Sequence, residues 1–314
     1  MKRRKLGNTS LEIAPVVFGG NVLGWTIDER RGFEVLDAFF DHGFNAIDTA
    51  DVYSAWAPGN HGGESETLIG RWLKARPGRR NHVAIFTKVG SGTDGPGKRK
   101  GLARRWVEQA AEASLERLGV DAIDLYFSHW PDAGTPHEET LRAYEALLQA
   151  GKVKAIGASN YDAAQLAAAL QAAREHHLPA YQVLEPEYNL YARDTYEGAL
   201  CDLCVAEGVG VVTYYSLASG FLSGKYRSEA DFDQSARGAG MGKYLNARGR
   251  RILAALDAVA ERHGAQPAEV ALAWLMTRPG VTAPIASATS VAQVESFARA
   301  AELKLDAEDL AKLA

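Results

Sequence analysis

Short, nearly continuous apolar runs alternate along this chain with longer segments whose apolar residues recur at helical spacing. The runs at 16–18, 45–47, 83–88, 123–128, 153–158, 181–185, 209–214 and 281–285 read as buried strands. The segments 28–40, 65–74, 103–118, 138–149, 162–175, 195–207, 246–263, 267–277 and 291–301 carry helical patterns, several stopped by a glycine such as Gly43, Gly151 or Gly208. Residues 3–14 precede the series and read as a hairpin turning at Gly7-Asn8-Thr9. Strands that are apolar on both faces imply a parallel sheet covered on both sides. About eight strand–helix units, with no break in composition, favour an α/β fold closed into a (β/α)8 TIM barrel. The N-terminal β-hairpin is added to it, and 1–314 reads as one domain. In such a barrel the residues just past the strand C-termini meet on one face, the top.

Composition narrows the function. The 314 residues are 46% hydrophobic and 24% charged, ordinary for a globular protein with a large core. A formal charge of −4 gives no electrostatic case for nucleic acid or an acidic membrane. No window approaches the ~20 apolar residues of a membrane span. The basic start Met1-Lys2-Arg3-Arg4-Lys5 runs into Leu6-Gly7-Asn8-Thr9-Ser10, so it does not read as a signal peptide. Two cysteines suit a reducing compartment. The expectation is a cytoplasmic protein that acts on a small molecule.

Chemistry gathers at the strand ends. Asp48 closes an apolar run and Tyr53 follows it in the loop; Lys88 ends the next strand, and His129 follows the one after. A lysine ending a buried strand carries a costly charge unless it is paired, and Asp48 is its natural partner. The set suits proton donation to a carbonyl oxygen. A phenol of pKa about 10 is a poor acid at neutral pH. An adjacent ammonium lowers that value, and Asp48 holds the ammonium in place. Tyr53 then protonates a developing alkoxide while His129 orients the carbonyl. Side chains supply no hydride, so a cofactor must.

The motifs run in order: Asp48-Thr49-Ala50-Asp51-Val52-Tyr53, Thr87-Lys88, Ser128-His129-Trp130, Gly157-Ala158-Ser159-Asn160, Gln182, Glu187-Tyr188-Asn189, Tyr214-Tyr215-Ser216-Leu217 and Gly220-Phe221-Leu222-Ser223-Gly224-Lys225-Tyr226. Together they resemble the aldo-keto reductase family, in the branch that contains bacterial oxidoreductases and potassium-channel β subunits. The resemblance implies a catalytic tetrad of Asp48, Tyr53, Lys88 and His129, with an extended nicotinamide cofactor across the barrel top. It implies Ser159, Asn160 and Gln182 as partners of the carboxamide and Tyr215 as the ring stacked on the nicotinamide. Gly20, Asn21, Ser216, Leu217, Gly220, Leu222 and Lys225 are further implied cofactor contacts, and the long loop 227–243 is placed to fold over the cofactor through Arg237. Ser287, Thr289 and Gln293 stand in the 2′-phosphate region, where family members often carry Lys or Arg; Ser296 and Phe297 replace Glu and Asn near the adenine. NADPH is the favoured cofactor and NADH the alternative. Trp25, Trp56 and Trp130 rim the implied pocket, which suits an aldehyde or ketone with apolar or aromatic bulk. The implied activity is reduction of that carbonyl to an alcohol. The alternative is a cofactor-bound sensor subunit with slow turnover, as in the channel β proteins.

Other motifs carry less. Gly90-Ser91-Gly92-Thr93-Asp94-Gly95 has dinucleotide-loop spacing, but Pro96-Gly97-Lys98-Arg99-Lys100 follows where a helix should open, so a solvated loop is expected. Cys201 and Cys204 lie inside a helix with no second pair and read as packing. His42, His82, His137, His176, His177 and His263 read as peripheral, and His61 has no partners at metal-ligand spacing.

Overall fold

Residues 1–91 and 101–314 are described by a computed structural model of the chain. The hairpin pairs β1 (Arg4–Lys5) with β2 (Glu12–Ile13). Eight parallel strands follow: β3 (Val17–Gly19), β4 (Ala46–Asp48), β5 (Ala84–Val89), β6 (Leu125–Ser128), β7 (Ile156–Ser159), β8 (Val183–Glu185), β9 (Gly210–Thr213) and β10 (Val281–Ala286). Each pairs with the next, and β10 pairs with both β9 and β3, so the sheet closes into a barrel. Around it lie α1 (Glu29–Asp41), α2 (Glu64–Ala75), α3 (Arg104–Leu118), α4 (His137–Gln149), α5 (Ala163–Glu175), α6 (Ala199–Glu207), α7 (Ala247–His263), α8 (Pro267–Met276), α9 (Val291–Glu302) and α10 (Ala307–Lys312). The fold is the expected (β/α)8 barrel with its N-terminal hairpin.

Two apolar layers hold it. Val16, Phe18, Ile47, Ile85, Tyr126 and Ile156 face outward into a shell packed against the helices. Val17, Ala46, Phe86, Leu125, Phe127, Ala155, Val183, Val212, Ala283 and Ile285 fill the barrel, which Leu6 and Ile13 of the hairpin plug from below. Gly7, at the hairpin tip with a positive φ of 54°, lies so close to the backbone of Gln182 and Gly210 that a Cβ would meet them at 2.5 and 2.4 Å. That approach marks the bottom of the barrel.

Strand side chains alternate in and out with a period of two, and the alternation places the site. Stepping two residues on from interior Ala46, Phe86, Phe127 and Val183 gives Asp48, Lys88, His129 and Glu185. The same step from Ile285 reaches Ser287. The register pairs Gly19 with Asp48 and Ser159 with Glu185, so these ends lie at one level around the rim.

Element boundaries shift where local chemistry intervenes. The helix expected from Thr195 opens only at Ala199, because the Thr195 hydroxyl donates to the Glu187 carbonyl (2.6 Å) and Gly198 takes a positive φ of 89°. The strand expected from Val153 starts at Ile156; Val153 makes only an isolated bridge with Ile123. Beyond α9 the chain adds α10, capped by Asp306 and held to α7 by Arg262 and His263 on Asp309. The loop 227–243 contains two 3-10 turns, Glu229–Gln234 and Gly238–Lys243. The dinucleotide-like spacing from Gly92 to Gly95 and the basic run to Lys100 lie outside the described residues.

Candidate active site

β4 and β5 lie side by side, so their last inward side chains meet. Lys88 Nζ donates to Asp48 Oδ1 at 2.5 Å, to the Thr49 carbonyl at 2.9 Å and to the Tyr53 hydroxyl at 2.9 Å. The Tyr53 hydroxyl also lies 3.2 Å from Asp48 Oδ2. Lys88 and Asp48 are fully buried, whereas Tyr53 is partly open. The loop that presents Tyr53 is tied down at both ends. Ser54, in the left-handed region at φ 71°, donates its hydroxyl to the Leu23 carbonyl at 2.7 Å. Thr49 Oγ1 donates to Ser65 Oγ of α2, which donates to the Gly20 carbonyl, both at 2.8 Å.

A fifth ionisable group joins them from across the barrel. Glu185 ends β8 fully buried, with Oε1 3.3 Å from Lys88 Nζ and Oε2 without a hydrogen-bond partner among the described residues. Sequence reasoning passed over it, although an acidic residue ending a buried strand is the signal that singled out Asp48.

Burial dominates the electrostatics. It alone would lower the Lys88 ammonium, but Asp48, Glu185 and Tyr53 together hold it well above the ordinary lysine value. Burial raises the Asp48 carboxyl against the pull of Lys88. It also pushes Glu185, beside Asp48, up to about 8. For Tyr53 the sequence expectation is a phenol lowered by its ammonium. Lys88 does act in that direction, yet burial first and the charge on Asp48 second raise the phenol well above its ordinary value. His129 is pushed well below the ordinary imidazole range by burial and then by Lys88, so it is neutral at pH 7. Its ring centroid is 6.1 Å from that of Tyr53, and its Nδ1 is buried without a partner among the described residues.

Aromatic rings wall the opening. Trp56 lies 6.1 Å from Tyr53 and 5.5 Å from Trp25, edge to face, while Trp130 stacks on His129 at 6.4 Å. Trp56 and Trp130 leave about half their surface open, 50% and 48%.

The residues assigned to a cofactor divide into groups. Asn160, at a positive φ of 63°, donates to the His129 carbonyl (2.9 Å) and accepts from the Tyr214 hydroxyl (2.6 Å). Ser159 donates to the Glu185 carbonyl at 2.8 Å. Tyr215, also at positive φ, leaves 42% of its surface open at the barrel top. Ser216 is buried on the Thr213 carbonyl, Leu217 is partly buried beside it, and Lys225 is exposed over the Tyr226 ring. Asn21 Oδ1 accepts from both Arg237 (3.0 Å) and Ser287 (2.8 Å), with the guanidinium 5.3 Å above the Trp25 ring. Arg237 has no carboxylate partner among the described residues, and burial lowers it below its ordinary value. Thr289, just ahead of α9, donates to Gln293 Oε1 in the first turn of that helix, while Ser296 turns inward to Glu269.

Three assignments need correction. Gln182 lies at the barrel bottom, donating to the Asn8 carbonyl at 3.0 Å; it precedes interior Val183 and points away from the top. The N–H groups of Gly220 and Leu222 both donate to the Leu217 carbonyl, at 2.8 and 3.1 Å, and the Leu222 side chain is core. These two residues shape the turn and offer no free donor.

TIM-barrel enzymes keep their chemistry at the strand C-termini, where this barrel gathers its ionisable side chains. The likeness to known proteins is wider than the fold. The profile of the aldo/keto reductase family matches residues 15–314, and the chain belongs to that family. A probable voltage-gated potassium channel subunit beta of Arabidopsis thaliana is 32% identical over 96% of this chain and 92% of its own length. The uncharacterized oxidoreductase YrpG of Bacillus subtilis is 32% identical over 100% of this chain and 95% of its own. The aldo-keto reductase AMT2 of Alternaria alternata is 31% identical over 99% and 90%. Members of the family generally bind NAD(P)H and act on small carbonyl compounds, and these relatives support an oxidoreductase function. No helix among the described residues is long and apolar enough to cross a membrane.

Proposed function

We propose that this chain is a cytoplasmic reductase that converts an aldehyde or ketone with apolar or aromatic bulk to its alcohol, using a nicotinamide cofactor, NADPH by preference. The observation that carries the reading is Lys88 Nζ held between Asp48 Oδ1 at 2.5 Å and the Tyr53 hydroxyl at 2.9 Å. The barrel top suits the cofactor. The open face of Tyr215 matches a flat ring, and the partly buried guanidinium of Arg237, without a carboxylate partner among the described residues, matches a phosphate. Ser159, Asn160, Asn21 and Ser287 supply polar atoms between them.

When bound, the reduced nicotinamide supplies a hydride to the carbonyl carbon. Neutral His129 donates an N–H to the carbonyl oxygen and so fixes its direction. Tyr53 gives its hydroxyl proton to that oxygen as negative charge develops there. Lys88 stays against the phenolate left behind, and Asp48 holds Lys88 in place. Trp25, Trp56 and Trp130 exclude water around the reacting atoms.

Fluorescence titration with NADPH and NADH, followed by a panel of aromatic and aliphatic aldehydes, tests this. Tighter NADPH binding and multiple turnovers on aromatic aldehydes are the expected results. Binding without turnover on any aldehyde would instead favour a sensor role, toward which the channel-subunit relative points.

A further inference from the structure

Resting on the reductase reading, we propose that Glu185 is a positioning residue that stays protonated through the reaction, so that the resting cluster of Asp48, Lys88, Tyr53 and Glu185 is neutral and gains only one negative charge when Tyr53 gives up its proton. Two carboxyl groups share one ammonium here. Lys88 Nζ is 2.5 Å from Asp48 and 3.3 Å from Glu185, so the negative charge belongs on Asp48 and the proton on Glu185. Glu185 Oε2 is buried without a partner among the described residues, and a neutral carboxyl tolerates that far better than an ionised one. The titratable groups facing it are Asp48 from β4, Tyr53 from the loop behind β4, Lys88 from β5 and Tyr214 at the end of β9. Among the described residues Lys88 is the cation that meets it, and Asp48 already holds that cation. Burial and the charge on Asp48 push the Glu185 carboxyl up to about 8, in keeping with the geometry.

The consequence falls on Tyr53. With Glu185 protonated, one carboxylate against one ammonium leaves the resting cluster neutral. Proton release by Tyr53 then makes it singly negative. With Glu185 ionised the same release makes it doubly negative, in a site that already raises the phenol. Loss of the Glu185 proton at alkaline pH therefore opposes proton donation by Tyr53.

Glu185→Gln keeps the shape of the group and removes its titration. In wild-type protein kcat/KM for aldehyde reduction falls about tenfold per pH unit above the Glu185 transition; in the variant that limb moves at least about one unit higher. A purely structural role would change the level of the profile and leave the limb in place. Infrared difference spectra of wild-type protein between acid and alkaline pH provide a readout that needs no turnover. Asp51 is also pushed up to about 8, so a protonated-carboxyl band persists at neutral pH in both proteins; the wild-type-minus-variant difference isolates the Glu185 band, which is present at neutral pH and fades near pH 8. An unshifted limb, or no wild-type-minus-variant carboxyl band at neutral pH, overturns the proposal. If neither protein reduces any carbonyl, the reductase reading fails on its own, and the infrared band still decides whether Glu185 is protonated.

Discussion

Lys88 is the residue on which the site turns, because four oxygens converge on its ammonium in a buried place. Removing one partner of a buried ion pair costs about 3–5 kcal/mol, so Lys88→Met is predicted to lose roughly that much at pH 8 by urea denaturation. At pH 5, where Glu185 and Asp48 take up protons more readily, the loss shrinks; an equal loss at both values contradicts the assigned charges. Arg237 is a gentler case. A charge-assisted hydrogen bond is worth about 1.5–3 kcal/mol, so Arg237→Ala should weaken NADPH binding about tenfold or more in a fluorescence titration. Unchanged affinity removes Arg237 from the cofactor site. At this scale the sequence was readable wherever strand phase could be followed. Asp48, Lys88 and His129 each follow an interior residue by two, and all three were picked out. Glu185 obeys the same rule without standing out in the sequence, while Gln182, which the family resemblance implies as a carboxamide partner, is out of phase with Val183 and points to the barrel bottom.

Elements are held in position by close contacts that the hydrophobic pattern does not record. Gly70 of α2 packs on the end of α3 so tightly that a Cβ would lie 2.3 Å from the Arg117 carbonyl oxygen. Arg117 and Thr87 both bond to buried Glu66, at 2.6 Å each, so the same contact braces the strand that carries Lys88. Gly70→Ala is therefore predicted to destabilise by about 1–3 kcal/mol, the range for overpacking. A thermal midpoint equal to wild type would show that the two helices can part freely. The long helices were legible because glycine stops and apolar periodicity agree. The start of α6 was not, because it depends on the Thr195 hydroxyl reaching a carbonyl on another segment. α10 was missed for a similar reason: its six residues are anchored by Asp309 through the distant Arg262 and His263.

The whole barrel couples its stability to the protons it buries. Glu185 and Asp51 are each pushed up to about 8, so the folded state binds protons that the unfolded chain has released by about pH 5. Stability from these groups is complete at acid pH and is lost as pH rises through about 8. His129 acts in the opposite sense. Its depressed value means that stability grows as pH rises to the unfolded imidazole value of about 6.5. Asp37 and Asp132, lowered below their ordinary values, contribute fully throughout this window. Above the imidazole range the urea midpoint should therefore fall between about pH 6.5 and 8 and level off beyond, and fall less in an Asp51→Asn, Glu185→Gln double variant. A midpoint that rises over that interval contradicts the assignment. The barrel itself was legible because eight apolar strands and their helices repeat without interruption. How far loop 227–243 reaches toward the top was not, since the Arg237–Asn21 contact joins residues 216 positions apart.

Proton donation by Tyr53 is the central claim, and single-turnover mixing tests it most directly. Wild-type protein and Tyr53→Phe, each loaded with NADPH, are mixed with an activated aromatic aldehyde while cofactor fluorescence is followed. General acid catalysis contributes about 10²–10⁴-fold. The variant should therefore bind NADPH with nearly unchanged affinity and consume it at least about a hundredfold more slowly than wild type. Consumption at the wild-type rate by Tyr53→Phe would contradict the account.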